Sequence, residues 1–187
     1  LAPYPNFHVM ARNLQTFKRY HAIGVMEEGQ YESDGGEFAE LKQWMLAKLL
    51  WNPYQDVNAL AREFISDYYG KAAPDIQKYY NLCCGLVNSD THMKFDANHT
   101  NSIYTDNFVS EGRQLLNQAL EQCDGSSVHI KRVEHVLGQI MYLQTERNPI
   151  KSFFNGTTKL FRKIIERDKI NVREHFKSEE YLQQSKF

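Results

Sequence analysis

Two adjacent carboxylates open the segment of this sequence with the clearest chemical potential. Glu27 and Glu28 are followed by Gln30 and Tyr31, and the group comes directly after the apolar run at 21–26. In parallel sheets and barrels, ligands bind on the loops that leave the carboxyl ends of the strands. These four residues are therefore predicted to bind substrate. A solvated acidic loop without a site is the alternative.

The two carboxylates do not form a catalytic pair by themselves. Hydrolysis of a glycosidic bond needs two carboxyl groups separated by roughly 5–9.5 Å on either side of the scissile bond. Consecutive side chains at a strand end point to opposite sides, so at most one of Glu27 and Glu28 faces a pocket. The second carboxyl group would have to come from outside the chain. The catalytic residues therefore stay unknown, and we expect the chain alone to be inactive.

A long polar stretch in the middle of the chain contains His92, Asp96 and His99. Two imidazoles and a carboxylate could suit a metal ion, but their spacing matches no compact ligand motif. A solvated loop is the favoured interpretation, and neither a metal nor another cofactor is predicted.

The two tryptophans, Trp44 and Trp51, could stack on a sugar ring. Aromatic residues make up 13% of the sequence, and most aromatic side chains pack in a core or at its rim. Packing is therefore the favoured interpretation for both.

The composition is that of one globular domain, or of one domain with a stub of another. The 187 residues carry a net charge of −1, with 42% apolar and 24% charged residues. Without a basic excess, nucleic acid is not an expected partner. No apolar run reaches the roughly 18 residues of a membrane helix, so membrane insertion is not expected. Cys83, Cys84 and Cys123 do not suggest a disulfide framework and leave the compartment open.

Helical periodicity dominates the chain. Helices are predicted over 7–20, 37–51, 57–69, about 74–87, 107–123, 127–146 and 150–168, with a possible short helix at 178–185. Only the run at 21–26 has the pattern of a buried strand. Since one strand cannot pair with itself, its neighbours are expected to lie outside the chain.

The predicted fold class is therefore mainly α: a helical bundle preceded by a short α/β stub. Residues 1–51 are assigned to the stub and 52–187 to the bundle. The sequence opens Leu1-Ala2-Pro3 without an initiator methionine. Together with the lone strand, this opening suggests the C-terminal part of a larger protein.

Several sequence runs resemble one bacterial family. They are Gly24–Tyr31 (GVMEEGQY), Gly35–Lys42 (GGEFAELK), Leu46–Pro53 (LAKLLWNP), and Asp56-Val57 through Glu63-Phe64 to Tyr68–Ala73 (YYGKAA). Together they resemble the C-terminal part of the family named domain of unknown function 4838. That family is similar to α-glucuronidases and hexosaminidases, which have a (β/α)₈ barrel followed by a helical domain.

The resemblance implies that 1–51 is the end of a truncated barrel: a late helix at 7–20, the last strand at 21–26 and the last helix at 37–51. It implies a glycoside-hydrolase-like protein of polysaccharide degradation, periplasmic or extracellular, whose partners are a glycan and the missing N-terminal barrel. The family has no settled activity, so no catalytic role carries over. A helical interaction or oligomerisation module is the alternative function.

Without the barrel, Ile23, Val25 and the apolar side of helix 7–20 would lose their cover. Exposed strand edges favour pairing with another chain. Self-association through residues 1–36 is therefore predicted.

Overall fold

The computed structural model describes residues 2–29, 35–88, 90–91 and 100–170, and their backbone is mainly helical, as predicted. The helices are α1 (Phe7–Arg19), α2 (Ala39–Trp51), α3 (Val57–Tyr69), a 3₁₀ turn (Gly70–Ala72), α4 (Ala73–Cys84), α5 (Asp106–Glu121), α6 (Ser127–Arg147), α7 (Pro149–Phe154) and α8 (Thr157–Asp168). No helix in these ranges is long and apolar enough to cross a membrane.

Side-chain caps fix where three of the helices begin. Asp56 accepts a hydrogen bond from the backbone N–H of Asn58 at 2.8 Å, which confirms the predicted start of α3. Thr105 and Ser126 cap α5 and α6 in the same way. Each cap satisfies one of the backbone N–H groups that a helix leaves unpaired at its start.

The centre of the molecule is α6. Every residue from Val136 to Leu143 is buried, so this stretch is covered on all sides, as expected for a central helix. Helices α3, α5, α7 and α8 all contact it. A single cluster of buried apolar side chains extends from Phe7 to Ile170 and joins all the longer helices.

Helices α1 and α2 lie side by side and run parallel. At their amino ends, the rings of Phe7 and Phe38 are 6.3 Å apart. At their carboxyl ends, Gln15 Nε2 donates to the carbonyl of Pro53 at 2.7 Å. Neighbouring parallel helices cannot be joined by a tight turn, so the chain between them must return along their whole length. Each helix has 13 residues. At a rise of about 1.5 Å per residue, that length is about 20 Å.

The predicted strand at 21–26 is not formed among the described residues. Residues 22 and 24–29 have no regular secondary structure, and Ile23, Val25 and Met26 are exposed by 108%, 41% and 88%. A strand is defined by hydrogen bonds to a neighbour, and no neighbour is present in the described part of the chain. The run has the apolar pattern of a buried strand, but its side chains are exposed in this structure.

The predicted loss of cover along helix 7–20 is wrong. Phe7, Ala11 and Leu14 are buried, and α1 packs on α2 and α3. Further along the apolar side of α1, Met10 is half-buried and Phe17 is 40% exposed.

The helix predicted at 150–168 is two helices, α7 and α8. Gly156 separates them with a left-handed backbone (φ 79°), a conformation that glycine adopts without steric cost. The possible helix at 178–185 lies outside the described residues.

Candidate functional site

The predicted substrate loop is only partly described. Residues 20–29, which return the chain between α1 and α2, form the returning segment. Glu27 and Glu28 lie on this segment, and both are exposed. Gln30 and Tyr31 lie outside the described residues, so the substrate-binding role of the four residues stays a prediction.

The far end of the same loop is firmly held. All residues from Gly35 to Ala39 are buried. The Glu37 side chain is fully buried, and its Oε2 accepts hydrogen bonds from the backbone N–H of Tyr4 at 2.9 Å and from Lys42 Nζ at 3.1 Å. Lys42 Nζ also donates to the carbonyl of Tyr4 at 2.7 Å. This carboxylate therefore joins the N-terminal arm (residues 2–6) to the start of α2, and we call the Glu37–Lys42 pair the anchor.

An aromatic cluster around Phe38 packs next to this anchor. Phe38 has a left-handed backbone (φ 46°), which is uncommon for a bulky residue. Its ring packs on those of Phe7, Tyr79 and Tyr80 at centroid distances of 5.9–6.3 Å. Burial of the ring holds the strained backbone in place, so the loop enters α2 in one fixed direction.

A buried thiol on α4 lies beside the Glu37 carboxylate. Cys83 is close enough to Glu37 and to Tyr79 for both to affect its pKa, but Tyr79 Oη and Glu37 Oε1 have no hydrogen-bond partner in the described ranges. Burial raises the pKa of Cys83 well above its ordinary value, and the charge of Glu37 raises it further. The thiol is therefore held in its protonated form.

Sequence reasoning missed this anchor. Glu37 is the first residue of a predicted helix, where acidic residues are common because they suit the helix dipole. Its true partners, Tyr4 and Cys83, are far away in the sequence, and no local pattern indicates them.

A polar cleft of about 440 Å³ lies between α5, the end of α6 and α7. Three cations line it: Arg113, Arg147 and Lys151. Arg147 is paired, since it contacts Asp106 at 2.8 Å and donates to the carbonyl of Tyr104. Arg113 is half-buried and donates to Gln144 Oε1 at 3.2 Å.

A second cleft, of about 470 Å³, lies beside an ion network on α6 and α8. Asp168 is bound by both Arg167 and His135, and Arg167 also contacts Glu134. Every charge at its centre is paired with an opposite one, so the network joins α8 to α6.

The remaining predicted residues divide in two groups. No cluster of His, Cys, Asp and Glu able to hold a metal occurs among the residues that the structure describes, and His92, Asp96 and His99 lie outside them. Trp44 packs on Phe64 with a centroid distance of 5.5 Å, as expected for rim packing. Trp51 is instead 91% exposed.

The N-terminal part of the chain is similar to a known family. Residues 1–81 match the model of the family described as domain of unknown function (DUF4838), which confirms the resemblance. No curated protein and no solved structure matches the chain.

Proposed function

We propose, on the premise that residues 1–81 belong to the DUF4838 family, that this chain is the C-terminal part of a glycoside-hydrolase-like protein of bacterial polysaccharide degradation. In this proposal, α1, the returning segment and α2 are the last helix, strand and helix of a (β/α)₈ barrel. The helices that follow support the barrel. The loop at 27–31 contributes one side of a glycan site, and the protein acts in the periplasm or outside the cell.

The parallel arrangement of α1 and α2 carries this proposal. In a (β/α)₈ barrel, successive outer helices run parallel because a strand returns the chain between them. Residues 20–29 return the chain here in the same way, and they are rich in apolar side chains that nothing described covers. A strand rises about 3.3 Å per residue, so six to eight residues span the roughly 20 Å length of α1.

The direction of the chain supports the position proposed for the loop. The returning segment leaves the carboxyl ends of α1 and α2 and leads back to their amino ends. Glu27 and Glu28 therefore lie near its carboxyl end. That is the end at which barrel enzymes place their working groups.

The first test concerns the docking of the barrel. The test uses a protein in which a barrel precedes this chain. The protein is divided before α1, and the two parts are co-expressed. We expect the two parts to co-purify and Ile23→Asp to abolish the co-purification, because burying a charge without a partner is costly. Ile150→Asp is the matched control, since Ile150 is similarly exposed, by 73%, on α7. Equal behaviour of the two variants would contradict the proposal.

The second test concerns the loop. In the undivided protein, we expect Glu28→Gln or Tyr31→Phe to reduce turnover or binding of aryl glycosides while the thermal stability stays unchanged. The isolated chain should show no turnover, because glycoside hydrolysis needs two positioned carboxyl groups. Turnover by the pure isolated chain, or unchanged kinetics in both variants, would refute the assignment.

The alternative, a helical interaction or oligomerisation module, is favoured by the same exposed side chains. Exposed apolar surface of this kind marks interaction sites. Light scattering on the isolated chain separates the two functions. A stable dimer that Ile23→Asp dissociates, with no co-purifying barrel part, would favour the alternative.

A further inference from the structure

The cleft between α5, α6 and α7 contains an arginine whose charge has no counterpart. Burial lowers the pKa of Arg113, and no carboxylate raises it. Its one hydrogen-bond partner within the described chain is the neutral amide of Gln144. Half-buried guanidinium groups are usually paired with anions, because removing a charge from water is costly.

Two other half-buried arginines, Arg147 and Arg167, follow that rule, whereas Arg132 lies over the Tyr68 ring and donates to the Tyr68 carbonyl. Arg147 is bound to Asp106, and Arg167 is bound to both Asp168 and Glu134. Hydrogen bonds that Arg167 donates to Asp168 and Glu134 raise its pKa, in contrast to the lowered pKa of Arg113. Arg113 therefore differs from Arg147 and Arg167 in having no carboxylate partner among the described residues.

The surroundings of Arg113 suit a small ligand. Val109 and Leu143 form an apolar floor, and exposed polar residues (Ser110, Asn148 and Asn155) stand at the rim with Lys151. The cleft volume of about 440 Å³ lies within the range of small-molecule sites. Because Asp106 is already paired with Arg147, the charges of Arg113 and Lys151 are left uncompensated in the cleft.

We propose that this cleft binds a small oxyanion, a carboxylate or a sulfate, held by the Arg113 guanidinium and by Lys151. A guanidinium presents paired N–H donors in a planar fork that matches the two oxygens of a carboxylate or sulfate. Lysine adds a flexible point charge from the opposite wall. The site is independent of the glycan loop at 27–31, because it lies on other helices.

The binding test uses isothermal titration calorimetry on the full chain at constant ionic strength. Sodium sulfate, sodium acetate and sodium glucuronate are the probes, and glucose and sodium chloride are the controls. Saturable binding of sulfate and acetate would identify a free oxyanion as the ligand. Binding of glucuronate at least tenfold tighter than acetate would identify a sugar-borne carboxylate.

Variants link the binding to the cleft. Arg113→Gln should weaken binding by roughly tenfold or more, the effect of a lost charge-assisted hydrogen bond. Arg113→Lys should retain part of the affinity, and Lys151→Gln should lower it independently. Arg62→Gln, on an exposed face of α3, is the matched control and should bind as the wild type does. Helical circular dichroism verifies that each variant is folded.

Three results would overturn the proposal. They are the absence of saturable binding by all three anions, equal loss of affinity in Arg113→Gln and Arg62→Gln, and binding of glucose as tight as that of glucuronate. The unliganded stability gives a second measurement. Arg113→Gln should not lower the melting temperature without ligand, and it should remove the increase that sulfate produces in the wild type.

Discussion

Replacing Glu37 and replacing Lys42 should lower the free energy of unfolding by clearly different amounts. The Glu37 side chain is fully buried, whereas 22% of the Lys42 side chain is exposed. In Glu37→Gln, the amide oxygen still accepts from Tyr4, and the lysine can turn to water. Losing the charge assistance of these bonds should cost about 1–2 kcal/mol in the free energy of unfolding.

Lys42→Met leaves a buried carboxylate without its cation. Breaking a buried ion pair in this way typically costs about 3–5 kcal/mol. The variant also removes the hydrogen bond to the Tyr4 carbonyl. We therefore expect Lys42→Met to be more destabilising than Glu37→Gln by about 2 kcal/mol or more. The double variant should be more stable than Lys42→Met, because no charge is then left alone.

Urea unfolding followed by helical circular dichroism measures these differences. For a chain of this length, each kcal/mol lowers the melting temperature by about 2–4 °C. Lys48→Met is the control for the lysine change, because the Lys48–Glu63 pair is exposed on both sides and such pairs contribute at most about 1 kcal/mol. A Lys42→Met cost no greater than that of Glu37→Gln would refute the assignment of this pair as the anchor of the loop.

Three further variants test the backbone, the ion network and the buried thiol. Gly70→Ala should cost about 1–3 kcal/mol, because its backbone conformation is one that residues with a Cβ rarely adopt. Gly70 has φ 55° and ψ −127°, and the added Cβ would lie 2.8 Å from the His129 ring. Gly85→Ala is its control and should be close to neutral, since its φ is −69°. Cys83→Val should lower the free energy of unfolding by about 1–3 kcal/mol more than Cys83→Ser, because the serine hydroxyl offers a donor to the buried Glu37 carboxylate. Asp168→Asn should remove part of the acid sensitivity of unfolding. Burial raises the pKa of Asp168, but hydrogen bonds from its partners outweigh burial and lower it below its usual 3.8. Its contribution is thus present above that value and lost as the pH falls further.

Each of these predictions has a result that contradicts it. Equal stability of the two glycine variants would show that the turn after α3 tolerates a side chain. Equal stability of the valine and serine variants would mean that a donor at position 83 does not reach the Glu37 carboxylate. An unfolding free energy that falls equally below about pH 4 in the wild type and in Asp168→Asn would show that the aspartate does not contribute to the acid response.

The helices are predictable because each carries its own signal. In α3, the spacing of Leu60, Ala61, Phe64 and Ile65 defines one apolar face, and Asp56 and Gly70 mark its two ends. Helical hydrogen bonds are local, so no distant residue has to be known. The division between α7 and α8 is not predictable in this way, because one glycine in a left-handed conformation interrupts an otherwise continuous apolar period.

The candidate sites are less predictable, because their partners are distant in the sequence. Glu37 meets Tyr4 and Cys83 only when three segments have packed, and Arg113 meets Gln144 across two helices. The absence of a carboxylate beside Arg113 in the described part of the chain is a property of the folded state. No sequence pattern distinguishes it from the paired arginine at 147.

The returning segment between α1 and α2 shows why one apolar run behaves differently from all the others. A helix satisfies its own backbone, so packing one face on α6 or its neighbours completes it. A strand needs backbone partners on its edges as well as cover on its faces. Ile23 and Met26 have neither among the described residues, although α1 and α2 on both sides of the segment are well packed. The path of the chain is therefore set by the two helices, whereas the strand that we propose would form only when a neighbouring sheet supplies its hydrogen bonds. Amide hydrogen exchange would detect this difference as slow exchange at 21–26 in the barrel-bound state and fast exchange in the isolated chain.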